Sequence, residues 1–98
     1  MLRIAVCDDE EKQLEQVSEL LETYLEAHPD RQGQVETFQS GSALLERAKE
    51  LHGFDLYILD ILMPSLSGIE IGRRLRALAD EGEIIYLTNS NDFAADSY

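Results

Sequence analysis

Acidic or hydroxyl side chains follow three apolar segments of the sequence, at the point where each segment ends. The pairs of segment and polar residue are residues 1–7 with Asp8 and Asp9, residues 54–59 with Asp60, and residues 84–87 with Thr88. If these segments are parallel strands of an open α/β sheet, their carboxyl ends meet at the edge where such folds bind ligands. We therefore expect these side chains to lie close together although they are far apart in the sequence.

The surroundings of Asp60 indicate what the cluster binds. Residues 56–59 and 61–63 are apolar, and an unpaired carboxylate there costs several kcal/mol or loses its charge. Three neighbouring carboxylates repel one another unless a cation lies among them, and Mg²⁺ prefers oxygen ligands while retaining waters that a phosphate can replace. A carboxylate beside such a cation can attack a phosphoryl group, as in aspartyl-phosphate enzymes. Thr88 could then donate a hydrogen bond to a phosphoryl oxygen.

Simpler roles remain open for several of these residues when each is taken alone. Asp9 is suited to cap a helix, Asp8 to lie solvated in a loop, and Thr88 to satisfy a backbone group at a strand end. Cys7 lacks the basic neighbours of a reactive thiol, so we interpret it as a small buried hydrophobic residue.

The elements that must position these side chains alternate along the chain between strands and helices. Strands are predicted over residues 2–7, 34–38, 54–59 and 84–87. The first helix is predicted because Leu14, Val17, Leu21, Tyr24 and Leu25 recur on one face. The second is predicted to begin at residues 40–42 and to end at Gly53. The third is predicted after Ser67 and Glu70 with Ile71, Leu75 and Leu78 facing inward, and the fourth from near Asp92. This alternation predicts an α/β doubly wound parallel sheet with residues 34–38 at an edge and residues 54–59 in its centre.

Size and composition limit the function. The 98 residues are enough for one domain, and 44% hydrophobic with 29% charged residues is a globular composition. A net charge of −12 disfavours contact with nucleic acid or an anionic membrane surface. The single cysteine cannot form an internal disulfide, which favours a cytoplasmic location, and no segment has the length of a membrane span.

Three motifs together resemble the receiver domain of bacterial two-component response regulators. They are residues 4–10 (IAVCDDE), residues 59–64 (LDILMP) followed by Ser67-Gly68, and residues 87–89 (LTN). The resemblance covers the whole chain, residues 1–98, in order and spacing. It implies a flavodoxin-like sheet of strand order 2-1-3-4-5. Residues 87–98 are further similar to receivers attached to LytTR-type DNA-binding domains.

The resemblance also implies a role for each matching residue. Asp60 would accept a phosphoryl group from a histidine kinase, and Thr88 would be the hydroxyl that drives the switch. The implied Mg²⁺ ligands are Asp9, Asp60 and the backbone carbonyl of Leu62, with Asp8 assisting through water. Met63 and Pro64 would shape the loop after the third strand, and Gly68 would permit its turn. An output domain that binds DNA is expected in a full-length parent protein.

The sequence departs from the family pattern at its end. Receivers carry a lysine after the fifth strand and an aromatic switch residue on it, and neither position is present before Tyr98. We therefore expect the fifth strand and fifth helix to be absent from this chain, which would be a fragment or a shortened receiver. The exposed fourth strand would then favour self-association, for example as a homodimer.

Two other functions compete with a phosphoryl acceptor. An aspartyl phosphatase usually has an Asp-x-Asp pattern after its first strand, whereas Asp8 and Asp9 are contiguous, so a turnover enzyme is disfavoured. A degenerate receiver, not phosphorylated and serving as an interaction module, is favoured by the missing lysine and opposed by the complete acidic cluster.

Overall fold

The computed structural model describes residues 1–63, 66–78 and 80–87, which form seven helices and strands. In chain order they are β1 (Leu2–Cys7), α1 (Glu11–Ala27), β2 (Gly33–Phe38), α2 (Gly41–Leu51), β3 (Leu56–Asp60), α3 (Gly68–Ala77) and β4 (Glu83–Leu87). The predicted fourth helix and Thr88 lie outside the described residues. No described helix has the combination of length and hydropathy that a bilayer span requires.

The four strands form one parallel sheet in the order β2-β1-β3-β4. The prediction of a doubly wound parallel sheet is therefore confirmed, as are the edge position of β2 and the central position of β3. The order matches the first four strands of the predicted 2-1-3-4-5 arrangement. Cys7 lies opposite both Phe38 of β2 and Leu59 of β3, so the carboxyl ends of these three strands are level with one another.

Helices cover both faces of the sheet, because side chains alternate along each strand. On one face, Ile4, Val6 and Ile58 pack against Leu14 of α1. On the opposite face, Ala5, Cys7, Tyr57 and Leu59 pack against α2 and α3, whose buried residues are Leu44, Leu45, Ala48, Ile71 and Leu75. This two-sided burial explains the continuous apolar runs of β1 and β3 in the sequence.

Short polar residues define where α2 and α3 begin and end. The Ser40 hydroxyl accepts a hydrogen bond from the Ala43 amide, and the Ser67 hydroxyl accepts one from the Glu70 amide, each at 3.2 Å. α2 ends with His52 in the left-handed region at φ 59°, followed by Gly53 at φ 103°. The predicted start at Ser67 and stop at Gly53 are both confirmed.

Three local predictions are wrong. Asp9 does not cap α1: the N-cap residue is Glu10, and it makes no side-chain capping bond. Tyr24 and Leu78 do not face the core, being 42% and 48% exposed; Tyr24 lies in the last turn of α1, and Leu78 is the C-cap residue that follows α3. β3 is also displaced by one or two residues from its predicted bounds, since it begins at Leu56 and includes Asp60.

Candidate functional site

The sheet register determines where the three aspartates lie. β1 and β3 are hydrogen-bonded neighbours with Cys7 opposite Leu59, so the residues that follow β1 lie beside the last residue of β3. That last residue is Asp60, which pairs in turn with Leu87 of β4. The backbone amide of Asp8 donates to the Phe38 carbonyl at 3.1 Å and thereby extends the β1–β2 pairing by one residue.

The carboxylates of Asp8, Asp9 and Asp60 form a compact cluster at this edge. One oxygen from each lies within 4.8 Å of the others, as the sequence predicted. Asp60 is 8% exposed and Asp8 9%, whereas Asp9 is exposed to solvent. Among the described residues, no lysine or arginine forms a salt bridge with any of the three.

Backbone amides fix the orientation of the two buried carboxylates. The Glu10 amide donates to Asp8 Oδ1 at 2.9 Å, and the Leu62 amide donates to Asp60 Oδ1 at 3.2 Å. Each bond joins a carboxylate to the residue two positions later, which is the geometry of an Asx turn. Neither amide was predicted from the sequence, although an aspartate directly after a strand favours such a turn.

The electrostatics of the cluster are unfavourable when no cation is present. The pKa of Asp8 is raised from its usual 3.8 to about 6, mainly by burial and further by the charges of Asp60 and Asp9, while the Glu10 amide opposes the shift. Asp8 is therefore harder to ionise beside the charges of Asp60 and Asp9. A divalent cation would relieve this repulsion, so the donor set fits a hard oxygen-seeking ion such as Mg²⁺.

Sulfur-containing side chains lie beneath the acidic cluster. Cys7 is 1% exposed, and its thiol lies 3.8 Å from the sulfur of Met63. Burial, together with the charges of Asp8, Asp60 and Asp9, raises the pKa of Cys7 to about 12. The thiol is thus kept protonated, and the interpretation of Cys7 as a buried hydrophobic residue is confirmed.

The other predicted site residues fall into two groups. Leu62 follows the cluster with its side chain 52% exposed, so it contributes to the site through its backbone. Thr88 and Pro64 lie outside the described part of the chain. Gly68, which was expected to permit the turn of the loop after β3, follows that loop directly. It is the first residue of α3 and packs on the backbone of Asp60.

The parallel 2-1-3-4 sheet and the acids at its carboxyl edge define the class of flavodoxin-like receiver domains. The chain belongs to the response regulator receiver domain family, whose profile matches residues 4–97. The resemblance found in the three sequence motifs is therefore confirmed at the level of the family.

Individual relatives agree with this assignment. The chain is 26% identical over 92 residues to accessory gene regulator protein A of Staphylococcus aureus, a match that covers 93% of this chain and 39% of that protein's length. It is similar to a receiver domain protein of Clostridium thermocellum with a TM-score of 0.76 and 29% identity, over 99% of this chain and 74% of that one. It is also similar to TrrA of Thermotoga maritima, solved in complex with Mg²⁺-BeF, with a TM-score of 0.74 and 33% identity. This match covers 98% of this chain and 76% of that one.

Proposed function

We propose that residues 1–98 are one signal-receiving domain that accepts a phosphoryl group from a histidine kinase on Asp60. The observation that carries the proposal is the position of Asp60. Its carboxylate is buried at the carboxyl end of a central strand and lies within 4.8 Å of those of Asp8 and Asp9. The TrrA structure contains Mg²⁺ and a beryllofluoride group, and its similarity to this chain supports the same chemistry here.

The transfer uses one oxygen of the Asp60 carboxylate as the nucleophile. Because Oδ1 accepts the Leu62 amide at 3.2 Å, we assign Oδ2 to the attack on phosphorus. A bond forms between Oδ2 and phosphorus while the bond between phosphorus and the histidine nitrogen of the kinase breaks, and that nitrogen keeps the electron pair. The Leu62 amide holds the carboxylate in one orientation and so reduces the entropy lost in reaching the reactive geometry.

Asp8, Asp9, Asp60 and the carbonyl of Leu62 are the groups that would hold Mg²⁺. The cation would supply positive charge that stabilises the transferring phosphoryl oxygens. In its absence the three carboxylates repel a phosphate donor as well as each other. Asp8 and Asp9 therefore act in the proposed transfer through their charge. That charge determines the affinity of the site for the cation, and the reaction depends on the bound cation.

The output of the domain is a change between two conformations. Phosphorylation replaces the single negative charge of the Asp60 carboxylate by that of an acyl phosphate, about −2, and Thr88 would respond by hydrogen-bonding to the phosphoryl group and altering the segment after β4. Because the chain spans 39% of accessory gene regulator protein A, we infer that the parent protein carries a further, DNA-binding output domain. We place the protein in the cytoplasm, where histidine kinases present their phosphoryl groups.

A signalling module agrees with the site better than a turnover enzyme does, because the phosphoryl group that Asp60 accepts in the proposed transfer stays on the protein as the signal. The alternative, an interaction module that is never phosphorylated, has one observation in its favour. Ile85 and Tyr86 of β4 are 47% and 39% exposed, which suits pairing of this strand with another copy. Light scattering on the eluting protein would give a dimer mass in that case and a monomer mass otherwise.

The decisive experiment is phosphorylation of the purified chain by acetyl phosphate with Mg²⁺. Intact-mass spectrometry should show the addition of one phosphoryl group, which is lost in Asp60→Asn and retained in the matched control Asp30→Asn on the exposed loop after α1. Omission of Mg²⁺ should abolish the addition. A wild-type protein that folds, binds Mg²⁺ and still acquires neither phosphate nor beryllofluoride would favour the interaction module instead.

A further inference from the structure

Basic residues are concentrated on two helices of this acidic protein. α2 and α3 together hold Arg47, Lys49, Arg73, Arg74 and Arg76, five of the eight lysines and arginines in a chain of net charge −12. α3 has three arginines against one glutamate, whereas α1 has five glutamates against one lysine. The face of the sheet covered by α2 and α3 is therefore much less negative than the face covered by α1.

A groove with an apolar floor runs between α2 and α3 within this basic region. A cavity of about 260 Å³ is lined by Leu45, Lys49, Arg74, Ala77 and Leu78, and we call these five residues the α2–α3 groove. Leu78 is 48% exposed at the end of α3. A second cavity of about 360 Å³ continues the groove past Lys49 and Leu78 toward His52. Leu45 is 7% exposed, whereas the side chains of Lys49 on α2 and Arg74 on α3 are 55% and 56% exposed.

The charged groups of the groove are only loosely paired. Lys49 Nζ lies 3.7 Å from Glu46 and Arg74 Nε lies 3.6 Å from Glu70, with all four side chains at least 36% exposed. In contrast, Arg47 is held by Glu36 at 2.9 Å. Exposed pairs of the first kind contribute little to stability. Lys49 and Arg74 can therefore exchange their present partners for other carboxylates at small cost.

Helix electrostatics explain part of this arrangement but not all of it. Lys49 and Arg74 lie in the last turns of their helices, where a positive charge stabilises the helix dipole. That effect does not require an exposed leucine between them. The groove also lies at the opposite end of the helices from the acidic cluster, because α2 and α3 run back from the carboxyl edge of the parallel strands. It is consequently a separate surface from the candidate phosphorylation site.

We propose that the α2–α3 groove docks an acidic amphipathic segment of a partner protein. Carboxylates of that segment pair with Lys49 and Arg74, and one of its apolar side chains covers Leu78 and Ala77. Charge complementarity selects this partner over nucleic acid or an anionic membrane, since the net charge of −12 repels an extended polyanion. A short peptide, by comparison, interacts mainly with the local charges of the groove. The proposal does not depend on phosphorylation of Asp60.

The test measures binding of a fluorescein-labelled amphipathic peptide of about 15 residues, long enough to form a helix when bound, with leucine on one face and glutamate on the other. We expect fluorescence anisotropy to report binding that weakens about tenfold in Lys49→Glu/Arg74→Glu and also in Leu78→Ser. The matched charge control, Lys12→Glu/Arg31→Glu, changes the net charge equally but lies outside the groove, and it should leave the affinity within about twofold. Circular dichroism establishes that each variant is folded.

Several results would overturn the proposal. These are equal binding of a peptide with glutamine in place of glutamate, an equal loss in the charge control, or no binding of the acidic peptide to the folded wild-type protein. Self-association that disappears in Lys49→Glu/Arg74→Glu would assign the groove to a second copy of this chain instead. Binding of duplex DNA or anionic vesicles with the same variant dependence would assign it to a polyanion.

Discussion

Gly68, the first residue of α3, packs directly on the backbone carbonyl of Asp60. A Cβ atom at position 68 would overlap the Asp60 carbonyl oxygen and lie 3.3 Å from Ile61 Cα. The Gly68 amide also donates to the Ile61 carbonyl at 3.4 Å. The start of α3 is thus held against the end of β3, next to the acidic cluster.

Replacement of Gly68 by alanine is expected to destabilise the fold and to weaken cation binding together. The overlapping atoms belong to the backbone, so no side-chain rotation can relieve the clash, and overpacking of this kind costs about 1–3 kcal/mol. Because the strain acts on the carbonyl of Asp60, the carboxylate should shift and the dissociation constant for Mg²⁺ should rise. Urea denaturation and Mg²⁺ titration measure the two effects.

The control for this prediction is Gly33→Ala. A Cβ at Gly33 would meet two methyl groups of Leu25 at 3.1 Å, which can rotate, and the Leu2 carbonyl oxygen at 3.2 Å. We expect a smaller loss of stability and an unchanged Mg²⁺ affinity. Equal effects of the two substitutions would show that the contact between Gly68 and Asp60 has no particular role at the site.

The affinity for Mg²⁺ should fall as the pH drops through about 6. Burial and the neighbouring charges of Asp60 and Asp9 raise the pKa of Asp8 to about 6 in the metal-free protein, and protonation removes one of the charges that attracts the cation. Isothermal titration at a series of pH values should show Mg²⁺ binding accompanied by proton release near pH 6. In Asp8→Asn this proton release should disappear, whereas Asp30→Asn should retain it.

The same shift predicts how the stability of the metal-free protein depends on pH. Because the pKa of Asp8 is raised on folding, its contribution to stability is fully present below its usual pKa of 3.8 and is lost as the pH rises through about 6. Saturating Mg²⁺ should restore stability above pH 6 by mass action. Thermal melts across this pH range compare the wild type with Asp8→Asn and so isolate the contribution of Asp8. Identical pH profiles of the melting temperature for the two proteins would contradict the prediction.

The sheet and the acidic cluster follow from the sequence because both depend on strand ends. The apolar runs before Asp8 and Asp60 identify two buried parallel strands, and the carboxyl ends of such strands necessarily share one edge. That the two strands are also neighbours, so that their acids meet, follows from the strand order 2-1-3-4-5 that the family resemblance implies. This is why the cluster could be predicted from 98 residues without knowledge of the helix positions.

Local geometry is harder to predict because neighbouring residues compete for the same role. Asp8 and Asp9 are both suited to accept an amide at the start of α1, but Glu10 takes the N-cap position, and Asp8 accepts the Glu10 amide just before the helix. Helical spacing likewise places Leu78 on the inner face of α3 but does not reveal that the helix ends at Ala77. Both errors arise from the shape of the tertiary structure.

Cys7 is expected to be inert towards thiol reagents in the folded protein. The side chain is 1% exposed and its pKa is about 12, so almost no thiolate is present at neutral pH. Absorbance assays with an aromatic disulfide at pH 8 should show slow labelling that becomes rapid in denaturant. Fast labelling of the native protein would mean that the floor of the acidic site opens readily.

The buried hydroxyl of Tyr57 connects the start of β3 to the loop before β4. It accepts a hydrogen bond from the Phe54 amide at 2.9 Å and donates one to the Asp80 carboxylate, which in turn accepts the Gly82 amide at 2.9 Å. Tyr57→Phe leaves the buried Phe54 amide without this partner, so we expect a loss of about 1–3 kcal/mol in urea denaturation. The control Tyr24→Phe, on an exposed tyrosine, should cost less than about 0.5 kcal/mol.

Alkaline unfolding separates the hydrogen bonds of Tyr57 from its packing. Burial, with the Asp80 hydrogen bond next in effect, raises the pKa of Tyr57 above its usual 10.0. A raised pKa contributes stability that is present below pH 10.0 and is lost as the pH rises towards the folded-state value. The wild-type protein should therefore lose stability more steeply above pH 10 than Tyr57→Phe does. Parallel curves of stability against pH for the two proteins would show that the Tyr57 hydroxyl ionises as easily in the folded chain as in the unfolded one. That result would contradict its role as a buried donor to Asp80.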